Sequence, residues 1–206
     1  DVPQSGETVV FSSSDENFVS VSQNGKITAV AKGKATVYAR VSKGVYAKCI
    51  VTVLPAAQKV TLNKTNLTLG VGESFNFNSS IPSGTASYYK KFASDSPVLT
   101  YKGSGVFKAE KKGTATVSVT LFNGKKATCK VTVLPAAQKV TLNKTTLTLG
   151  VGESFNFNSY VPEGTASNVR SFASSSGILT YKGKGVFKAE KKGTSTVSVT
   201  LFNGKK

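Results

Sequence analysis

Two thiols and a surplus of lysine are the main reactive material in this chain. Cys49 and Cys129 are its cysteines, and the 206 residues include no histidine, methionine or tryptophan. Without an imidazole there is no His-based nucleophilic triad, no HExxH zinc protease site and no Cys/His zinc finger. The thiols stand in matching contexts, A-K-C-I-V-T-V-L-P and A-T-C-K-V-T-V-L-P, eighty residues apart. Cys129 alternates in phase with Val131 and Val133, which points it into a core. An inert, free, buried thiol is expected there and at Cys49, and two thiols in separate cores lie too far apart to bridge. No catalytic, cofactor-binding or metal-binding residue is assigned, no cofactor is expected, and the chain is read as not an enzyme.

Charge is the second chemical resource. Lys and Arg number 27 against 10 Asp and Glu, a formal charge of +17. It is unevenly spread: residues 1–58 carry +2, residues 59–138 carry +8 and residues 139–206 carry +7. The lysines cluster at Lys90, Lys91, Lys108, Lys111 and Lys112, and again at Lys188, Lys191 and Lys192. Such groups suit salt-sensitive binding of an anionic wall polymer, an acidic glycan or a host surface molecule. They equally suit a solvated surface that keeps strand edges apart. Specific nucleic-acid recognition is not expected. The nearest aromatic–basic interleaving, Tyr88-Tyr89-Lys90-Lys91, becomes Asn168-Val169-Arg170-Ser171 eighty residues later and loses both rings.

The recurrence that pairs the cysteines organises the whole chain. L-P-A-A-Q at 54–58 returns at 134–138, and residues 59–126 align without a gap on 139–206, differing at 13 of 68 positions. Ten of those differences fall between positions 80 and 98, a concentration that fits either contact-tuning loops or drift at an exposed loop. Residues 1–58 are a more diverged copy lacking the first strands, anchored by Val2-Pro3, Phe11 and the shared C-x-V-T-V-L-P-A-A-Q ending. A period of eighty suits a small domain with its own core better than a solenoid repeat. Domains are expected at 1–55, 56–135 and 136–206, the first without its opening strands and the last without its closing strand.

The elements follow from alternation. T-A-T-V-S-V-T-L at 114–121 and A-T-C-K-V-T-V at 127–133 have the two-residue period of half-buried strands. Asn123-Gly124 between them predicts a type I′ hairpin turn, as does Asn24-Gly25. Further strands are expected at 59–63, 66–70, 74–79, 88–93, 98–101 and 105–109. The inward face should hold Leu67, Leu69, Phe75, Phe77, Phe92, Phe107, Ala109, Ala115, Val117, Val119, Leu121, Cys129, Val131 and Val133. Thr114, Thr116, Ser118, Thr120, Lys130 and Thr132 should face water. No helical period of useful length and no window of 18 apolar residues appears, so no membrane insertion is expected. The fold class is all-β: tandem Ig-like antiparallel β-sandwich domains in a linear array.

The motifs of the first copy resemble those of the bacterial Ig-like domain of group 2. Phe11 followed by S-S-S, G-K-I-T-A at 25–29, K-G-K-A-T-V at 32–37 and C-I-V-T-V at 49–53 match that family's pattern. The later copies keep F-A-S-D-S-P (92–97), K-G-T-A-T-V (112–117), C-K-V-T-V (129–133) and an L-x-L-G-V-G-E-S opening at 67–74. The resemblance implies an extracellular, bacterial cell-surface or secreted location and no catalytic residues. It implies a structural spacer that presents another domain away from the surface, monomeric within a longer chain. The alternative is an adhesive module working through the Lys-rich edges and variable loops.

Smaller signals are weaker. Asp15-Glu16-Asn17 lacks the spaced oxygens of a calcium cage. A Lys–Asn isopeptide crosslink would need a carboxylate beside a buried lysine, and Glu73 is the repeated candidate.

Overall fold

The computed structural model describes residues 8–41, 44–88 and 90–206. Val2-Pro3 and Tyr89 lie outside the described residues. The first copy contains β1 (Val10–Ser13), β2 (Val19–Val21), β3 (Ile27–Ala29), β4 (Gly33–Arg40) and β5 (Tyr46–Val53). The second contains β6 (Thr61–Leu62), β7 (Asn66–Gly70), β8 (Ser74–Asn76), β9 (Ser79–Ser80), β10 (Lys90–Ser94), β11 (Leu99–Gly103), β12 (Val106–Ala109), β13 (Gly113–Leu121) and β14 (Lys126–Leu134). The third contains β15 (Thr141–Leu142), β16 (Ser154–Asn156), β17 (Ser159–Tyr160), β18 (Val169–Ser174), β19 (Leu179–Gly183), β20 (Val186–Ala189) and β21 (Val197–Leu201). No helix occurs among the described residues, and the fold is all-β and Ig-like.

Two compact units divide the chain. One comprises Asp1–Val60, Ser80–Lys90 and Leu121–Lys125, and the other Thr61–Ser79, Lys91–Thr120 and Lys126–Lys206. The first unit holds an antiparallel sheet in the order β1-β4-β5, and Val19, Ala35 and Val37 form its buried cluster. In the second unit, the order β10-β13-β14-β7 forms one sheet and β11-β12-β8 another. Between them Leu69, Phe77, Phe107, Val117, Cys129 and Val131 are buried together. Phe77 meets Phe75 and Phe107 edge-on, at ring-centre distances of 4.9 and 5.8 Å. A separate cluster of Ala137, Val140, Val199 and Leu201 lies in the same unit.

The expected inward face of the second copy is buried or half-buried at every position. Four details differ from the sequence expectation. Ser118 is buried rather than outward, because its strand is central, with β10 on one side and β14 on the other. Against the antiparallel expectation, β7 runs parallel to β14, from Asn66 opposite Lys130 to Gly70 opposite Leu134. The expected strand at 74–79 ends at Asn76, where the Phe77 N–H turns to the Gly105 carbonyl.

The fourth difference is the hairpin. Gly124 has a positive φ of 80° but Asn123 does not, and Leu121 bonds both ways with Lys125 and Gly124. This is a three-residue loop with one left-handed glycine, not a type I′ turn. Asn123 keeps a helical-sign φ while its side chain reaches out, Nδ2 donating to the Ala57 carbonyl at 2.9 Å. The type I′ pattern instead occurs at Ser104-Gly105, whose φ values of 49° and 82° close β11 onto β12 in two residues.

Candidate interaction surfaces

The lysines fall into distinct settings. Lys111-Lys112 and Lys191-Lys192 occupy the turn after β12 and β20 and are exposed in both copies. Lys108 and Lys188 project beside them from the strands but are engaged. The Lys108 Nζ lies 3.2 Å from Glu110 Oε2, with Lys102 Nζ 3.8 Å from Oε1. Lys188, Lys182 and Glu190 repeat the arrangement at 3.2 and 3.6 Å. In both copies the hydrogen-bonded lysine holds the glutamate carboxyl below its ordinary range. Lys91 is exposed and Lys90 half-exposed at the start of β10.

The third copy shows how far apart these groups stand. Ser171, the counterpart of Lys91, pairs with Thr200. Thr200 lies eight residues along from Lys192, roughly 25 Å at the rise of an extended strand. In the third copy, Ser171 and the Lys191-Lys192 turn are therefore separate positions rather than one patch. Tyr88 is fully exposed.

The cysteines part company. Cys129 is fully buried, and burial pushes its thiol above the usual value despite the nearby Lys64 charge. Cys49 is exposed, against the expectation of a buried thiol. The reason is cover: β7 flanks β14 around Cys129, whereas among the described residues β5 has only β4 beside it. Both thiols are free.

The most fully satisfied polar group in the second unit is one that sequence reasoning considered only as a crosslink candidate. Glu73, 7% exposed, sits in the turn between β7 and β8. Its Oε2 accepts from the Gly70 N–H at 3.0 Å and the Asn168 Nδ2 at 2.9 Å. Its Oε1 accepts from Ser167 Oγ at 2.8 Å and the Asn168 N–H at 2.7 Å. These donors are backbone, hydroxyl and amide groups rather than a lysine amine, so the crosslink geometry is not assembled. The signal available in the sequence was the acid repeated in G-V-G-E at 70–73 and 150–153, in a chain with few acids.

The L-P-A-A-Q segment is held in the same way at both of its occurrences. Ala86 N donates to Pro55 O and Ala57 N to Ala86 O, at 3.0 and 3.1 Å. Ala166 N donates to Pro135 O and Ala137 N to Ala166 O, both at 3.0 Å. Asn123 Nδ2 and Asn203 Nδ2 complete the grip on the Ala57 and Ala137 carbonyls at 2.9 and 2.6 Å.

An open depression of about 390 Å³ is lined by Ser94, Asp95, Ser96, Pro97, Leu99, Tyr101 and Phe107. Asp95 accepts the Thr116 N–H at 2.7 Å, and that bond holds its carboxyl below the ordinary value. Asp15 is likewise a turn former, accepting from the Asn17 N–H at 2.9 Å. No group of three His, Cys, Asp or Glu residues that could hold a metal ion occurs among the described residues.

Residues 2–52 match the family model of the bacterial Ig-like domain (group 2). A protein of Clostridium acetobutylicum, described as uncharacterized, is 32% identical over 135 residues, which are 63% of this chain. The match spans 14% of that protein's length. Among solved structures, the S-layer protein SbsC aligns over 95% of this chain and 30% of its own, at 15% identity and a TM-score of 0.42. The C-terminal fragment of intimin, solved in complex with the translocated intimin receptor's intimin-binding domain, aligns over 66% and 54%. Its identity is 23% and its TM-score 0.32. Invasin, a bacterial integrin-binding protein, aligns over 98% and 50% at 13% identity and a TM-score of 0.28. Over residues 2–52, then, this chain is similar to the bacterial Ig-like domain of group 2.

Proposed function

We propose that the chain is a non-catalytic spacer of a bacterial cell-surface or secreted protein, built of Ig-like modules at 1–55, 56–135 and 136–206. Its role is to hold another domain away from the surface. The observation that supports this reading is Glu73. A buried carboxylate with four donors, three of them from the following copy, is polar chemistry spent on joining one repeat to the next. The gripped L-P-A-A-Q segment acts in the same sense, since a linker whose backbone is paired bends less than a free one.

A second reading is favoured by the exposed Lys111-Lys112 and Lys191-Lys192 pairs, which recur at the same turn. In it the pairs engage an anionic wall polymer, glycan or host surface molecule through screened point charges. The test is retention of the chain on immobilised teichoic-acid-type polymer and on heparin at about 0.15 M salt. The spacer reading expects elution at or below that ionic strength. Retention that persists there, and is lost when Lys111, Lys112, Lys191 and Lys192 are changed to Gln, overturns it in favour of the binding module.

A further inference from the structure

We propose that the Gly70–Glu73 turn is a selective socket for the segment ahead of the first long strand of a following module, and that the residue at the position of Asn168 decides which module it accepts. The inference deepens the spacer reading and rests on it for the word module. The geometry is specific. A carboxylate offers about four acceptor sites on its two oxygens, and all of Glu73's are matched by donors. Asn168 supplies two of them, its backbone N–H to Oε1 and its Nδ2 to Oε2.

Shape adds a second condition. A Cβ on Gly70 would stand 2.3 Å from the carbonyl oxygen of Ala166, so the socket floor admits the incoming backbone only at glycine. Ala166 and Ser167 have identical counterparts in Ala86 and Ser87, but Asn168 is replaced by Tyr88. Tyrosine carries its side-chain donor at the far end of a ring and cannot fold it back onto Oε2. A copy with Ala-Ser-Asn ahead of its first long strand completes the carboxylate, whereas one with Ala-Ser-Tyr there leaves a buried charge short of a donor, which is costly. The partner that fits is therefore an Ig-like module with Asn directly before its first long strand. Gly150 and Glu153 repeat the socket residues in the third copy, where they are exposed.

The test uses the full chain and amide hydrogen exchange at Gly70 and at residue 168, with cleavage in 134–139 by a nonspecific protease as a second readout. N168Y, which grafts in the second copy's residue, and N168A, which removes only the side-chain donor, should each speed exchange at Gly70 by about tenfold or more. E73Q should do the same, and E153Q should leave both amides unchanged. The Val199 and Leu201 amides report folding of the third copy. If N168Y loses their protection, the milder N168A decides. Wild-type exchange and cleavage in N168A, or a change at Gly70 in E153Q, overturns the socket. None of these outcomes alters polymer retention, so a failure of the socket is distinguishable from a failure of the spacer reading.

Discussion

In the second copy β7 lies parallel beside β14, a pairing that the described residues of the other two copies do not make. Residues 146–150 of the third copy read T-L-T-L-G against N-L-T-L-G in β7, yet they form no strand. Among the described residues β5 of the first copy is paired on one side only, by β4, and it is exposed along most of its length. Nearly the same residues are thus covered in one copy and bare in another. Burial here belongs to the strand pair and not to the local sequence.

The cysteines give the widest separation. Under native conditions at mildly alkaline pH, iodoacetamide should alkylate Cys49 close to the rate of a free thiol. Cys129, fully buried and with its thiol pushed up, should react at least about a thousandfold more slowly, waiting on opening of its copy. Peptide mapping over time measures both. Equal rates would mean that β7 does not cover β14.

Truncating the tip leucines comes next. Leu69 is 1% exposed in the core with Phe77 and Phe107, while Leu149 is half-exposed. Leu69→Ala should cost about 2–4 kcal/mol in urea unfolding and Leu149→Ala about 1 kcal/mol or less. Matching losses would contradict the difference in cover.

The glycines beside them sharpen the same contrast. Gly70→Ala must push the Ala166 carbonyl away and should destabilise by about 1–3 kcal/mol. Gly150→Ala meets only the flexible end of Glu153 at 3.3 Å and should stay within about 0.5 kcal/mol of wild type.

The smallest effect is electrostatic. Asp95 accepts the Thr116 N–H, and Ser175 does the same job for Thr196 in the third copy. A carboxyl held below its ordinary value stabilises the fold above that value and loses its contribution as pH falls through the lowered one. D95S should therefore lower the second copy's melting temperature slightly at pH 7 and not at pH 2. Glu110 and Glu190 are depressed by the same lysine bonds and cancel in the comparison.

Much of the second copy was legible in its alternation. The positions at 66–70 and 114–121 coincide with β7 and β13 to within a residue, because a strand with one wet face writes its period into the sequence. Ser118 escaped that reading, since a small polar residue on a central strand is covered by its neighbours rather than by its own polarity. Asn123-Gly124 escaped it as well. The dipeptide permits type I′, but Asn123 also has a carbonyl of the L-P-A-A-Q segment to hold. Of the interaction surfaces, the lysine clusters were visible as composition, but the engagement of Lys108 and Lys188 by Glu110 and Glu190 was not. Glu73 stood out only as a repeated acid, because three of its four donors come from residues 94 and 95 positions away.

Composition and periodicity alone determined that this protein is an all-β repeat, poor in the groups that activate nucleophiles and rich in lysine. Those properties are local: which residue types are present, and which alternate. Only the tertiary structure decided which thiol is shielded, which leucines are core and which carboxylate is filled. Each of those depends on a strand or loop distant in the chain arriving beside it, and solvent exclusion is set by that neighbour.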